Sequence, residues 1–123
     1  MKKILIVDDQ PGIRVLLQEV LKKEGYDIQT AGSGVEAISL LESEHFDALL
    51  TDMKLPGMNG VDILQRAQTK AEHMVTMMMT AYGEMELIEQ AKSLGVKHFF
   101  TKPFNIIEVR ETINNLMKAH DLK

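Results

Sequence analysis

Ile4-Leu5-Ile6-Val7 runs directly into Asp8-Asp9, and that junction decides the fold. A short, wholly apolar run suits a strand covered on both faces, as in a parallel sheet. The abrupt change to carboxylates marks the point where the strand leaves the core. Two further runs end the same way: Ala48-Leu49-Leu50-Thr51 meets Asp52, and Phe99-Phe100-Thr101 meets Lys102-Pro103. If these strands are parallel neighbours, three carboxylates and one ammonium share a single crevice.

Outward from these ends, short apolar runs alternate with amphipathic segments, the signature of βα units. A helix is expected from about Gly12 to Glu24, stopped by Gly25. Its Ile13, Leu16, Leu17, Val20 and Leu21 span an arc of about 140° at 3.6 residues per turn, with Val15 outside it. Asp27–Ala31 mixes polar and apolar residues and suits an edge strand. Ser33 and Glu36 form a capping box that opens a helix expected to turn Val35, Ile38 and Leu41 inward. A loop from Met53 to Asn59 holds the turn signal Pro56-Gly57. Asn59 caps a helix with Val61, Leu64 and Ala67 inward. Val75–Thr80 is the fourth strand, with Met77-Met78-Met79 as core filling. A helix carrying Met85, Ile88 and Ala91 stops at Gly95. His98–Thr101 is the fifth strand, and Asn105 caps a last helix with Val109, Ile113 and Leu116 inward. Five strands and five helices in strict alternation, with polar runs at the edges, predict an α/β fold with a parallel sheet in the order 2-1-3-4-5. Its site lies at the β1/β3 switch point.

The chain has 123 residues, 45% hydrophobic and 26% charged, with a net charge of -4. That length fits one domain, expected to span 1-123 with no output domain. The acidic balance and absence of a Lys/Arg cluster argue against nucleic acid. With no cysteine, disulfides and thiolate chemistry are excluded. No stretch reaches the length of a membrane span or a signal-peptide core, so the expectation is a cytoplasmic domain with no membrane partner. His45, His73, His98 and His120 lack metal-ligand spacing and read as surface or packing residues.

Asp8, Asp9 and Asp52 in one crevice repel one another. At about 4 Å and an effective dielectric near 20, each pair costs on the order of 4 kcal/mol. A divalent cation relieves this, and an oxygen-only donor set suits Mg²⁺. Asp52 is the candidate nucleophile toward phosphorus, giving an acyl phosphate. Such transfer needs charge neutralisation and in-line positioning more than acid–base catalysis. Lys102 supplies a point charge for the phosphoryl oxygens, and the Thr80 hydroxyl another donor. Pro103 is a candidate cis residue.

The segments Ile6-Val7-Asp8-Asp9, Thr51-Asp52-Met53-Lys54-Leu55-Pro56-Gly57-Met58-Asn59-Gly60, Met79-Thr80-Ala81-Tyr82 and Lys102-Pro103-Phe104 resemble the receiver domain of two-component response regulators. The resemblance spans essentially the whole chain. It implies a flavodoxin-like (βα)5 fold with helices on both faces. It also implies phosphorylation on Asp52, and Mg²⁺ on Asp9, Asp52 and the Lys54 carbonyl, with Asp8 contributing directly or through water. Mn²⁺ or Ca²⁺ would substitute. Thr80 and Lys102 would hold the phosphoryl group, and Thr80 with Phe99 would form a switch pair. Among single-domain receivers, Asp8-Asp9-Gln10-Pro11-Gly12-Ile13-Arg14 and Met79-Thr80-Ala81-Tyr82-Gly83-Glu84 look most like the sporulation-type phosphorelay members. Those take a phosphoryl group from a sensor histidine kinase, pass it to a histidine phosphotransferase, and can answer to an aspartyl-phosphate phosphatase. Gln10, Gly12, Ile13, Leu16, Tyr82, Pro103 and Phe104 would form the partner surface. Pro11 stands where such a relay receiver has Tyr, and Phe99 where it has His.

A chemotaxis-type receiver that binds an effector is the alternative within the family. A flavin or nucleotide binder of this fold needs a β1 loop rich in Gly, Ser and Thr, which Asp8-Asp9 does not provide. A dehalogenase-type phosphatase needs a second Asp two residues after Asp8, where Gln10 stands. A pseudo-receiver would lack one of the Asp or Lys residues, and all are present.

Overall fold

A computed structural model describes residues 1–71, 73–81 and 83–121. The main sheet is built from β1 (Lys3–Val7), β2 (Asp27–Ala31), β3 (Ala48–Asp52), β4 (Val75–Thr80) and β5 (His98–Thr101). All neighbours are parallel, in the order β2-β1-β3-β4-β5. The helices are α1 (Pro11–Lys23), α2 (Gly34–Ser43), α3 (Gly60–Ala71), α4 (Met85–Ser93) and α5 (Ile106–Asp121). The expected strand order and alternation are what the structure shows. No described helix is long and apolar enough to cross a membrane.

Successive strand residues point to opposite faces, so each central strand feeds two cores. Ile4, Ile6, Leu50, Met77 and Met79 pack with Leu17 and Leu21 of α1 and Val109, Ile113 and Met117 of α5. Leu5, Val7, Leu49 and Met78 pack on the other face with Ala37, Leu41, Val61, Leu64 and Ala91, from α2, α3 and α4. Each fully buried Leu, Ile or Met contributes about 1.5–3 kcal/mol. The methionine triplet is core, as its sequence context implies.

The helix ends follow their local chemistry. Pro11 occupies the first turn of α1, one residue earlier than the apolar stripe suggests, because its missing N–H costs nothing there. Gly25, at φ +93°, closes α1: its N–H donates to the Lys22 carbonyl and Tyr26 N–H to that of Leu21. This is the Schellman arrangement. Ser33 Oγ accepts from Glu36 N–H, while Glu36 Oε1 accepts from Gly32 N–H. Asn59 and Asp62 cap each other reciprocally. Asn105 Oδ1 accepts from Ile107 and Glu108 N–H.

Several faces differ from expectation. Val35 is 73% exposed, and α2 buries Gly34, Ala37 and Leu41 instead. The cause is close packing at the start of α2, where a Cβ on Gly34 would lie 2.6 Å from Met58 Sδ. That contact rotates the helix and leaves Val35 outside, with Ile38 only half-buried on the flank. Met85, expected inward, is the first residue of α4 and is 70% exposed, while Ala91 is fully buried. Leu16 lies off the Leu17–Leu21 row and is exposed. Leu116 is half-buried beside fully packed Ile113 and Met117. The expected loop after Asp52 contains a small antiparallel hairpin, Lys54–Leu55 against Met58–Asn59. Pro56-Gly57 turns it, with Gly57 at φ +76°, as a type II turn requires.

Candidate functional site

The carboxyl edge of the sheet gathers the residues on which the sequence argument rests. β1 and β3 are paired in register through Val7 and Thr51, so Asp8 and Asp52 leave the sheet side by side. Carboxylate oxygens of Asp8, Asp9 and Asp52 lie within 4.8 Å of one another. Lys102, just past β5, reaches across the sheet edge. Its Nζ donates to Asp8 Oδ2 at 2.9 Å and to Asp52 Oδ2 at 2.8 Å. Its backbone N–H donates to the Thr80 carbonyl at 2.7 Å, which ties it to the end of β4. The Lys102–Pro103 peptide is cis.

The three acids stand in different surroundings. Asp8 is fully buried, Asp52 is 9% exposed, and Asp9 is open to solvent. Asp8 Oδ1 accepts from Gln10 N–H at 2.9 Å. The Asp9 carboxylate has no hydrogen bond or ion pair among the described residues. Burial pushes the Asp52 carboxyl above its ordinary range. Lys102 and a backbone hydrogen bond from Lys54 oppose that rise, and the Asp8 charge adds to it. Lys102 responds in the opposite sense. Burial works against its charge, but hydrogen bonds to Asp52 and Asp8 outweigh burial and hold the ammonium above its ordinary value. Burial thus accounts first for the Asp52 direction and the two carboxylate partners for that of Lys102, while one cation facing three carboxylates leaves the crevice with a surplus of negative charge. Hard oxygen donors in that state fit a divalent cation such as Mg²⁺.

Asp52 is also held from behind. Met53 N–H donates to the Met79 carbonyl at 2.8 Å, and Gly60 N–H to the Met53 carbonyl at 2.7 Å. A Cβ on Gly60 would lie 2.9 Å from the Asp52 carbonyl oxygen, so α3 starts against the backbone of Asp52 itself. Thr80 is buried at the end of β4, opposite Thr101. Phe99 lies two residues back on the neighbouring strand, on the same face as Thr80, and packs partly buried against the core under α2, α3 and α4.

Gln10, Gly12 and Leu16 are exposed along the start of α1, and Pro103 is exposed after β5. Ile13 and Phe104 are half-buried against the same core cluster. Tyr82 lies outside the described residues. The four histidines are dispersed: His45 and His73 are exposed, and His98 packs against Phe100.

Two residues that matter here carry no signal in motif spacing. Arg14 Nη1 donates to the Asp8 backbone carbonyl at 2.6 Å. Glu84 is 8% exposed, and its Oε1 accepts from Ala81 N–H at 2.7 Å, closing the β4–α4 turn. The only hint of the latter is an acid placed immediately before a helix.

Comparison with known proteins agrees with this geometry. The model of the response regulator receiver domain matches residues 4–114. Sporulation initiation phosphotransferase F of Bacillus subtilis is 46% identical over 116 residues, 94% of each chain. Chemotaxis protein CheY-3 of Vibrio cholerae is 34% identical over 119 residues, 94% of this chain and 92% of that one. The crystal structure of a CheY-like receiver domain protein from Methanospirillum hungatei superposes with a TM-score of 0.93 at 30% identity, covering 98% of this chain and 97% of that one. The chain therefore belongs to the response regulator receiver domain family of two-component systems.

Proposed function

We propose that this receiver accepts a phosphoryl group on Asp52 from a sensor histidine kinase and passes it to a histidine phosphotransferase in a sporulation-type phosphorelay. The observation that carries this reading is the Asp52 carboxylate, fixed at the sheet edge 2.8 Å from Lys102 Nζ and grouped with Asp8 and Asp9. An Asp52 oxygen attacks phosphorus as the P–N bond to the donor imidazole breaks and that nitrogen keeps the electron pair. The product is an acyl phosphate, and the reverse step onto a second histidine regenerates Asp52. Lys102 moves from the carboxylates to the phosphoryl oxygens, and the Thr80 hydroxyl donates to another of them. Mg²⁺ would be held by Asp9, Asp52 and the Lys54 carbonyl, with Asp8 directly or through water. Bound there, it would neutralise charge on the phosphoryl oxygens.

Gln10, Gly12, Ile13, Leu16, Pro103 and Phe104 offer an apolar and neutral rim on which a helix bearing the reacting histidine can dock, and Tyr82 belongs to the same proposed surface. Thr80 and Phe99 act as the switch pair. Such partners place the chain in the cytoplasm, with an aspartyl-phosphate phosphatase as a further partner and neither nucleic acid nor membrane required. The similarity to the sporulation phosphotransferase supports the relay. A second reading, effector binding of the chemotaxis type, draws support from the similarity to CheY-3.

Intact mass after acetyl phosphate treatment tests the acceptor: one phosphoryl group on the wild type and none on Asp52→Asn is expected. Incubation with a labelled kinase and a histidine phosphotransferase separates the two readings. Label retained entirely on this chain would exclude the relay.

A further inference from the structure

Arg14 sits on α1, six residues after Asp8, and is partly buried. Its Nη1 donates to the Asp8 carbonyl. The guanidinium lies against Gly32, where a Cβ would come within 3.1 Å of Nη1 and 3.4 Å of Cζ. It forms no ion pair among the described residues, although acids precede it in the chain and gather at the crevice. Every other polar group of Asp8 is also engaged. Its N–H donates to the Ala31 carbonyl at 3.1 Å, Oδ1 takes Gln10 N–H, and Oδ2 takes Lys102. The carbonyl that Arg14 holds belongs to the planar peptide joining Asp8 to Asp9. Fixing that plane fixes the direction in which Asp9 leaves the strand, and the Asp9 carboxylate has no partner of its own to do so.

We propose that Arg14 is a positioning residue: by clamping the Asp8–Asp9 peptide it aims the Asp9 carboxylate at Asp8 and Asp52, and so sets the affinity of the crevice for a divalent cation. The inference rests on the cation reading of the proposed function. Its sign separates it from a simple charge effect. A guanidinium near a cation site repels the cation, so removing it for charge reasons alone tightens binding. Removing a clamp loosens binding, and partners that orient ligands cost about 10–100-fold in metal affinity when lost.

The test is calorimetric titration of the full chain with Mg²⁺ and with Mn²⁺, alongside the amide chemical shifts of Asp9 and Gln10 without metal. R14A is expected to weaken binding about tenfold or more and to shift the Asp9 amide. R14K keeps the charge and one donor but not the guanidinium's contact with Gly32, and falls between. G32A leaves Arg14 intact but displaces its guanidinium by a few tenths of an ångström, and weakens binding to a smaller extent. R14A binding as tightly as wild type, or more tightly, overturns the proposal while the cation reading stands. A wild type that binds neither ion overturns the cation reading itself. Should R14A not fold, R14K and R14Q decide: wild-type affinity in both overturns the clamp.

Discussion

Replacing Asp52 by Asn should make the protein more stable when no divalent cation is present. The crevice holds three carboxylates within 4.8 Å of one another. At that separation and an effective dielectric near 20, each pair repels by about 3.5 kcal/mol. Asp52 takes part in two such pairs. Its attraction to Lys102 at 2.8 Å is about 6 kcal/mol on the same footing. The balance leaves the Asp52 charge unfavourable by about 1 kcal/mol, and burial of the charge adds to it. The raised Asp52 pKa has the same sign. The folded state keeps that proton to higher pH than the unfolded chain. Stability is therefore lost as pH rises from the ordinary carboxylate range through the folded value, and above it the loss is complete. Asp52→Asn removes this loss. At neutral pH in EDTA its Tm should exceed that of wild type by about 3–6 °C. Mg²⁺ at ten times its Kd adds about 1.4 kcal/mol to the wild type and less to the variant, which lacks a ligand, so the gap closes or reverses. Thermal and urea denaturation at two pH values, with and without Mg²⁺, read all of this. A variant less stable than wild type in EDTA refutes the electrostatic reasoning.

Three further substitutions probe the frame around Asp52. Lys102→Ala leaves Asp8 and Asp52 without their shared cation, so Asp52 should hold its proton to higher pH. Uptake from acetyl phosphate, followed by intact mass, should slow and begin at higher pH, and an unchanged rate and profile counts against its role. Gly60→Ala places a Cβ 2.9 Å from the Asp52 carbonyl oxygen. Overpacking of about 1–3 kcal/mol exceeds the gain of about 0.4–1 kcal/mol from a less flexible unfolded chain. A lower urea midpoint and slower uptake are expected, and a stabilised variant contradicts the close approach. Glu84→Ala deprives Ala81 N–H of its acceptor at a cost of about 0.5–1.5 kcal/mol, since Ala81 is exposed and water can replace the carboxylate. Glu84→Gln keeps the oxygen and should lose less, which amide hydrogen exchange in the β4–α4 turn can read.

The strands and the site were legible in the sequence for one physical reason. An apolar run must stop where water begins, and the residue that stops it is then at the sheet edge. Asp8, Asp52 and Lys102 could be placed from that alone. Helix faces were less legible. The stripe through Val35, Ile38 and Leu41 is a fair amphipathic face, but a glycine against Met58 sets the rotation of α2, and no periodicity reports a contact between distant segments. Met85 failed because the first residue of a helix need not overlie the sheet. Arg14 and Glu84 stayed hidden because each acts on a backbone group, and side-chain spacing carries no record of that.

The charge balance of the crevice also constrains what can follow phosphorylation. Asp52, Asp8 and Asp9 already outnumber Lys102. On the proposed function, a phosphoryl group replaces one negative charge with about -1.5 to -2, so the deficit deepens. As Lys102 shifts to the phosphoryl oxygens, the fully buried Asp8 carboxylate loses part of its compensation. A second cation and neutral donors must therefore share the load, and on the proposed function Thr80, buried at the end of β4, is such a donor. Its movement is restrained on both sides, by Lys102 N–H on its carbonyl and by the Glu84 latch on the next residue. On that reading phosphorylation would pull at the end of β4 against a defined set of bonds. Phe99 shares its face of the sheet and is packed only in part, so on the proposed function it is the side chain that would respond.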